Sequence, residues 1–242
     1  MVNKEEVRAG FLGAPEGKAS GKSAELVRRL ERYRDAKRIF VGPTARLQQV
    51  RINALTDGKE LLVPAPGLKE GFYLLTPYEI PFKHLAYAVG YKGLAQYGRR
   101  VAVEELCRGP VGLLVTDCLA VDPAGYFVGE GKGFFDLAVA ILAELHGLSS
   151  EAEAYGLGEQ EQILGQEIEH GAWDVRFNGF ITPEGIALKN SGPQADRRVL
   201  WDLLPPKRIR KITPLWKLNM RNKDALAATE ETGPVKGGEP FA

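Results

Sequence analysis

The sequence predicts an α/β fold in which helices cover both faces of a mostly parallel central sheet, forming a three-layer sandwich. Two observations lead to this prediction. Short apolar runs, such as RIFV at 38–41 and VGLLVT at 111–116, have the composition of strands that are buried on both faces. Between such runs lie longer segments whose apolar residues recur at helical spacing. Regular alternation of strands and helices is typical of α/β layer architectures.

The individual elements follow from the same signals, taken from the N-terminus. Helical periodicity predicts helices at 22–36, 45–56 and 136–146. Apolar runs predict strands at 38–41, 59–64, 111–116, 154–157 and 179–182. Gly42-Pro43 and the Pro-Ala-Pro-Gly turn at 64–67 end the first two strands, and Gly147 ends the last of these helices.

Composition excludes several classes of protein. A length of 242 residues, with 44% hydrophobic and 26% charged residues, suits one globular domain with appendages. Lys+Arg 32 against Asp+Glu 31 leaves a net charge of +1, so no global field favours nucleic acid. Cys107 and Cys118 lie on separate segments and predict reduced thiols. The segment MVNKEEVRAG lacks an apolar signal-peptide core, and no apolar run approaches the roughly 20 residues of a membrane span. We therefore expect a cytoplasmic protein without membrane association.

The final third of the sequence has a different character. We predict an α/β domain at 1–185, a basic extension at 186–226 and a mobile tail at 227–242, because the tail is polar and rich in Gly and Pro. Residues 207–223 carry seven basic residues and no acid. Apolar residues are interleaved with these charges, which favours an extension that packs on its own domain. Contact with RNA or with another protein is the alternative.

The segment GYFVGEGKGFFD at 125–136 is the main candidate for a binding site. Its four glycines lie between a β-type segment and a predicted helix, where backbone amides and a helix N-terminus meet the carboxyl edge of a parallel sheet. That arrangement suits an anionic ligand, and an ordinary tight turn is the alternative. The spacing is not that of a dinucleotide-binding fingerprint. Gly21-Lys22-Ser23 is not a P-loop, because Glu16 occupies the position of the required first glycine.

The full sequence of this loop indicates a more specific relationship than its glycine spacing does. The stretch VGEGKGFFD, from Val128 to Asp136, resembles the L-G-x-G-x-G-Y-Y-D signature of the 5-formyltetrahydrofolate cyclo-ligase family. Lys4 and Arg8 are similar to the K-x-x-x-R pair of that family. The sequence resembles a divergent branch of the family, the methenyltetrahydrofolate-synthetase-domain proteins, still more closely. The segments that carry this resemblance are Gln49-Val50-Arg51, Leu62-Val63-Pro64 and Phe180-Ile181-Thr182-Pro183.

The resemblance implies a Rossmann-like fold and an ATP- and Mg²⁺-dependent reaction on a reduced folate. In that family the γ-phosphoryl group of ATP passes to the formyl oxygen of 5-formyltetrahydrofolate, N10 attacks the activated carbon, and phosphate leaves. The residues expected to bind the nucleotide are Lys4, Arg8, Gly129, Glu130, Gly131, Lys132, Gly133 and Phe134. Lys132 and Asp136 are the expected catalytic residues, and Asp136 is the expected metal ligand. A cap for its own helix is the alternative role of Asp136.

Three departures from the family pattern bear on catalysis. Phe127 stands where active cyclo-ligases have an arginine, and Glu130 stands where many have a basic residue. Arg46-Leu47-Gln48-Gln49-Val50 replaces the family's E-x-x-T segment, whose glutamate meets the folate. We therefore expect an ATP-dependent cyclo-ligase of the formyltetrahydrofolate type, with two alternatives. One is a non-catalytic nucleotide- or folate-binding relative with a regulatory role, and the other is an RNA-associated protein.

Overall fold

The computed structural model describes residues 1–11, 21–190 and 197–231. The helices are α1 (Lys4–Phe11), α2 (Gly21–Arg29), α3 (Glu31–Asp35), α4 (Gln48–Thr56), α5 (Leu85–Ala88), α6 (Tyr91–Tyr97), α7 (Phe134–Glu144), α8 (Pro206–Lys211) and α9 (Thr213–Glu231). The strands are β1 (Arg38–Val41), β2 (Glu60–Pro64), β3 (Phe72–Leu75), β4 (Arg99–Arg100), β5 (Val111–Asp117), β6 (Ala120–Val121), β7 (Phe127–Val128), β8 (Leu148–Leu157), β9 (Gly179–Thr182) and β10 (Gly185–Lys189).

The central sheet has the strand order β10-β9-β8-β5-β1-β2-β3-β4. Its middle section, from β9 to β2, is parallel throughout, because β9 pairs with β8, β8 with β5, β5 with β1 and β1 with β2 in parallel. The pairings at both ends are antiparallel. When only the parallel strands are numbered, in their order along the chain, β2, β1, β5, β8 and β9 give the doubly wound order 2-1-3-4-5. The direction of winding changes between β1 and β5.

Apolar side chains fill both sides of this sheet. Alternate residues of β1 enter different cores: Phe40 packs on one side, and Ile39 packs on the other. The core around Phe40 includes Ile141 of α7, whereas the core around Ile39 includes Val27 of α2 and Val50 of α4. Helices thus cover both faces of a mostly parallel sheet, which confirms the predicted three-layer α/β architecture.

Several boundaries differ from the sequence-based prediction. The helix predicted at 22–36 is divided at Leu30 into α2 and α3, because Leu30 has an extended backbone with ψ of 136°. The strand predicted at 154–157 is the end of the longer β8, whose first half has exposed polar residues and so lacks an apolar pattern. Within β8, Gly156 leaves space for two aromatic rings, since a Cβ there would lie 2.4 Å from Phe177 and 2.6 Å from Phe180.

The C-terminal segment contacts the face of the domain that carries α7. Ile212, Leu215 and Leu218 are buried in the core around Phe40. The Thr213 amide donates a hydrogen bond of 2.9 Å to the Lys69 carbonyl oxygen. Strand β10 continues the sheet beyond residue 185, and α9 extends to residue 231. Residues 232–242 lie outside the described residues, so the predicted mobility of the tail stays a prediction. No helix among the described residues combines the length and apolarity needed to cross a membrane.

We expect Leu215→Ala to lower the free energy of unfolding by about 2–4 kcal/mol, because it would leave a cavity in a closed core. Leu215 is 0% exposed, whereas its neighbour Trp216 is 42% exposed. Trp216→Ala is therefore the matched control and should change stability by much less. Urea unfolding monitored by circular dichroism measures both effects. Equal, small effects of the two changes would show that α9 does not pack on the domain in solution.

Candidate functional site

The candidate site lies at the carboxyl edge of the sheet, where the winding direction changes between β1 and β5. Ligands of open α/β sheets bind in the crevice that forms at such a point. Gly42 and Thr44 follow β1 there, and β5 ends at Asp117. The two-stranded ribbon of β6 and β7 leads from β5 into the glycine loop, which we define as residues 129–133. Helix α7 begins directly after this loop, as the sequence predicted.

The glycine loop has an exposed backbone in which two glycines adopt left-handed conformations. Gly131 has φ of 86° and Gly133 has φ of 57°, both in the left-handed region that favours glycine. Within the described residues, the amides at 129–133 donate no hydrogen bond to another backbone group. Residues 130–134 are exposed. The loop therefore presents N–H groups next to the positive end of an 11-residue helix, an arrangement that attracts anions.

Helix α1 brings both predicted N-terminal cations to the site. Arg8 Nε donates a hydrogen bond of 3.0 Å to the Gly129 carbonyl oxygen. Lys4 Nζ lies 2.7 Å from Asp174 Oδ1 in a largely buried ion pair. The segment before α1 is fixed as well, because the Val2 amide donates a hydrogen bond of 2.8 Å to the Glu167 carbonyl oxygen. The structure thus places Arg8 against the glycine loop and Lys4 against the Asp174 carboxylate.

Asp136 lies in the first turn of α7 and faces a second carboxylate. Its Oδ1 accepts a hydrogen bond of 2.9 Å from the Val175 amide. The pKa of Asp136 is raised to about 6, chiefly by burial and in smaller part by the negative charge of Asp174, against the opposing effects of the Val175 hydrogen bond and the Lys4 charge. Asp174 was not predicted from the sequence. Its segment carries no helical or strand periodicity, so only its position shortly before the predicted strand at 179–182 could have indicated it.

Asp136 and Asp174 are the side chains at this site that could hold a metal ion. Mg²⁺ in nucleotide sites is bound by one or two carboxylates together with phosphate oxygens and water. Asp136 and Asp174 supply that number of carboxylates. Over the described ranges, no group of three or more His, Cys, Asp and Glu side chains could hold a metal ion. The donor set therefore suits a metal that arrives with phosphate groups, rather than a metal held by protein alone.

Aromatic side chains support the glycine loop from beneath. Phe127 stacks on Phe177 with a centroid distance of 4.3 Å and an interplanar angle of 8°. Phe135 packs against Phe40 and Phe127, each at 5.8 Å between centroids. Phe134, by contrast, is 36% exposed. Phe127 is consequently a core residue. Of the two phenylalanines that follow the loop, Phe135 packs in the core and Phe134 is accessible.

Lys132 and Glu130 are both exposed on the loop. The Lys132 carbonyl oxygen accepts a hydrogen bond from Nη2 of Arg208, a residue of α8. The Arg208 guanidinium also lies over the Phe134 ring, with Cζ 5.6 Å from the centroid. No sequence motif connects the C-terminal segment with this loop, so this contact is an addition to the predicted site.

The opposite side of the crevice is formed by the segment after β1 and by the end of β5. Arg51 is 1% exposed, donates to the carbonyl oxygens of Val89 and Thr44 at 2.9 and 3.0 Å, and also donates to that of Gly42. Burial lowers the pKa of Arg51 to about 10. Burial also raises the pKa of Asp117, and the Glu130 charge adds to this effect. Arg51 thus fixes the backbone after β1, and Asp117 lies near charges of both signs, those of Arg46 and Glu130.

Comparisons with known proteins relate the chain to one family. Residues 8–183 match the model of the 5-formyltetrahydrofolate cyclo-ligase family. The chain is 25% identical over 216 residues to the methenyltetrahydrofolate synthase domain-containing protein of Danio rerio, and 31% identical over 214 residues to that of Bos taurus. Each match covers 87% of this chain and 56% of the relative, so the chain spans about half the length of these curated relatives. A solved structure of a 5,10-methenyltetrahydrofolate synthetase from Mycoplasma pneumoniae aligns with a TM-score of 0.45 at 12% identity, covering 74% of this chain and 96% of that chain.

The raised pKa of Asp136 predicts a specific dependence of stability on pH. A carboxyl with a pKa of about 6 in the folded state and about 4 in the unfolded state binds more protons when folded. Its contribution to stability is therefore present at low pH and is lost as the pH rises through 6. Asp136→Asn removes this ionisation and keeps an oxygen for the Val175 amide.

We expect Asp136→Asn to raise the free energy of unfolding by about 1–3 kcal/mol at pH 7.5 and to have little effect at pH 4. Urea unfolding at both pH values measures the difference. Asp202→Asn, a change at an exposed carboxylate, is the control and should have no such pH dependence. Destabilisation of Asp136→Asn by the same amount at both pH values would show that the carboxylate is a structural cap.

Proposed function

The chain belongs to the 5-formyltetrahydrofolate cyclo-ligase family, and from this premise we propose that it binds MgATP at the glycine loop and cyclises a 5-formylated reduced folate to its methenyl form. One observation carries the proposal. Two cations, two carboxylates and a glycine loop with accessible amides meet at the edge of the sheet where α/β proteins bind ligands. These are the groups that transfer of a phosphoryl group requires.

Each group has a role in this proposal. The amides of the glycine loop and the Lys132 ammonium bind the phosphate oxygens, and Arg8 adds a second cation beside Gly129. Asp136 and Asp174 would hold Mg²⁺, and the ion would supply charge neutralisation for the phosphate groups. Lys4 balances the carboxylate charge in the protein alone through its ion pair with Asp174.

The reaction needs positioning and charge stabilisation rather than covalent help from the protein. The formyl oxygen takes the γ-phosphoryl group, and ADP leaves. N10 then forms a bond to the activated carbon and loses its proton to solvent, and phosphate departs with cleavage of the C–O bond as the ring closes. Phosphoryl transfer of this kind is accelerated by fixed cations and amides around the phosphate. We assign the folate to the opposite side of the crevice, near Thr44 and Asp117, because this side faces the loop across the β1–β5 edge.

A non-catalytic relative is the second candidate, and one observation favours it. Phe127 is packed against Phe177 in the core, so no cation occupies that position near the loop. Glu130 is exposed on the loop and adds a negative charge where phosphate groups would bind. A protein of this kind would bind ATP, a reduced folate or both, without turnover.

The test compares binding with turnover. ATP with Mg²⁺ and 5-formyltetrahydrofolate are titrated separately by calorimetry, and the mixture is then monitored for the absorbance of the methenyl product. We expect binding of each ligand and formation of product, with product lost in Asp136→Asn and Asp174→Asn. Lys37→Ala is the control, because Lys37 is exposed and precedes β1 at the opposite edge of the sheet. Binding without turnover would establish the non-catalytic candidate, and absence of binding would refute the proposal.

We expect Glu130→Gln to tighten ATP binding by about 3- to 10-fold, because it removes a carboxylate that lies near the phosphate groups. Calorimetry with and without Mg²⁺ measures the change. Glu161→Gln, at an exposed carboxylate outside the loop, is the control and should leave affinity unchanged. Weaker binding that no longer responds to Mg²⁺ would instead identify Glu130 as a metal ligand.

A further inference from the structure

We infer that Arg208, contributed by α8, is an anion-binding residue of the glycine-loop site and contacts the phosphate groups of the nucleotide together with Lys132. This inference rests on the proposed nucleotide site and extends it. Arg208 lies outside the segment 8–183 that matches the family model. The site would thus include a residue that the family's matched segment does not supply.

The position of the guanidinium is the first argument. Nη2 of Arg208 donates a hydrogen bond to the Lys132 carbonyl oxygen, in the middle of the exposed part of the loop. Cζ lies 5.6 Å from the centroid of the Phe134 ring, within the range of a cation–π contact. The guanidinium is therefore fixed between the loop and the first turn of α7.

The anchoring of α8 is the second argument, because a mobile arm would not hold a cation in one place. Ile209 packs against the core, and Ile212 is 2% exposed. Pro206 occupies the first turn of α8, where its fixed φ suits a helix start. Thr213 is hydrogen-bonded through its amide to Lys69 at 2.9 Å. Arg208 is half-buried on this fixed segment.

The remaining donors of Arg208 are the third argument. A guanidinium has five N–H groups in a planar fork that matches phosphate oxygens. Among the residues that the structure describes, no carboxylate forms an ion pair with Arg208. Lys217 and Arg221 on the neighbouring α9 differ in this respect, because both face Glu104, at 4.0 and 2.6 Å. Arg208 is thus bonded to a neutral carbonyl and keeps donors for an anion.

The glycine loop itself carries no net positive charge for a phosphate group. Glu130 and Lys132 carry opposite charges and cancel in the field that a phosphate group meets. Arg8 contacts one end of the loop through Gly129, and Arg208 contacts its centre through Lys132. The two arginines therefore make the loop positive despite Glu130, and only Arg208 comes from beyond the family match.

The experiment measures the affinity of the full chain for sodium tripolyphosphate and for ATP with Mg²⁺ by calorimetry. We expect Arg208→Ala to weaken both by about 10- to 100-fold, the range of a lost charge-assisted hydrogen bond. Arg208→Gln should weaken them to a similar degree, because it keeps a donor for the Lys132 carbonyl oxygen but removes the charge. Lys132→Ala serves as the positive control. Arg210→Ala, at an exposed cation on the same helix, is the matched control and should leave affinity unchanged.

Each other outcome has a definite meaning. Wild-type affinity in Arg208→Gln, with loss in Arg208→Ala, would show that Arg208 only supports the loop, and the inference would be wrong. An equal loss of affinity in Arg210→Ala would show that the anion responds to the overall positive charge of α8 and not to Arg208 in particular, which also contradicts the inference. Unchanged affinity in Arg208→Ala would overturn this inference alone, whereas a wild-type protein that binds neither probe would overturn the proposed function as well. Thermal melting of each variant verifies that the fold is intact.

Discussion

The ion pair between Lys4 and Asp174 is the interaction on which the arrangement of the site depends. It ties α1, from the start of the chain, to the segment that precedes β9, and so places Arg8 against the glycine loop. It also balances part of the negative charge that Asp174 directs at Asp136. Two carboxylates held together in a partly buried place cost stability unless a cation lies between them. In the proposed function, a metal ion bound by both carboxylates would offset this cost.

The fold positions this chemistry by means of a few rigid features. The change of winding direction between β1 and β5 opens the crevice, and the β6–β7 ribbon directs the glycine loop into it. The stacked rings of Phe127 and Phe177, with Phe135 packed edge-on against them, support the loop from beneath, while Arg51 fixes the segment after β1. Residues 130–133 of the loop are exposed, and over the described parts of the chain the loop amides donate no hydrogen bond to another backbone group. The scaffold is thus hydrophobic and ordered, and the accessible groups are polar.

The sequence allowed the fold class and the loop to be predicted, because both depend on local patterns. Apolar runs predicted the buried strands of the sheet. Glycine spacing predicted the loop, which contains Lys132 and is followed by Asp136. The family motif further predicted that Lys4 and Arg8 belong to the same site. Asp174 and Arg208 were not predicted, since each reaches the site through contacts between segments that are distant in sequence. The first half of β8 was missed for a different reason: its polar, exposed residues have no strand periodicity.

The central claim is that Asp136 and Asp174 hold Mg²⁺ for a nucleotide at the glycine loop. The most direct measurement is the affinity for ATP, with and without Mg²⁺, of the wild-type protein and of Asp174→Asn. Our account predicts that Mg²⁺ tightens ATP binding by at least about 10-fold in the wild type, on the scale of a single strong charge interaction, and has little effect in the variant. Equal enhancement by Mg²⁺ in both proteins would contradict the account, because the metal would then be bound without Asp174.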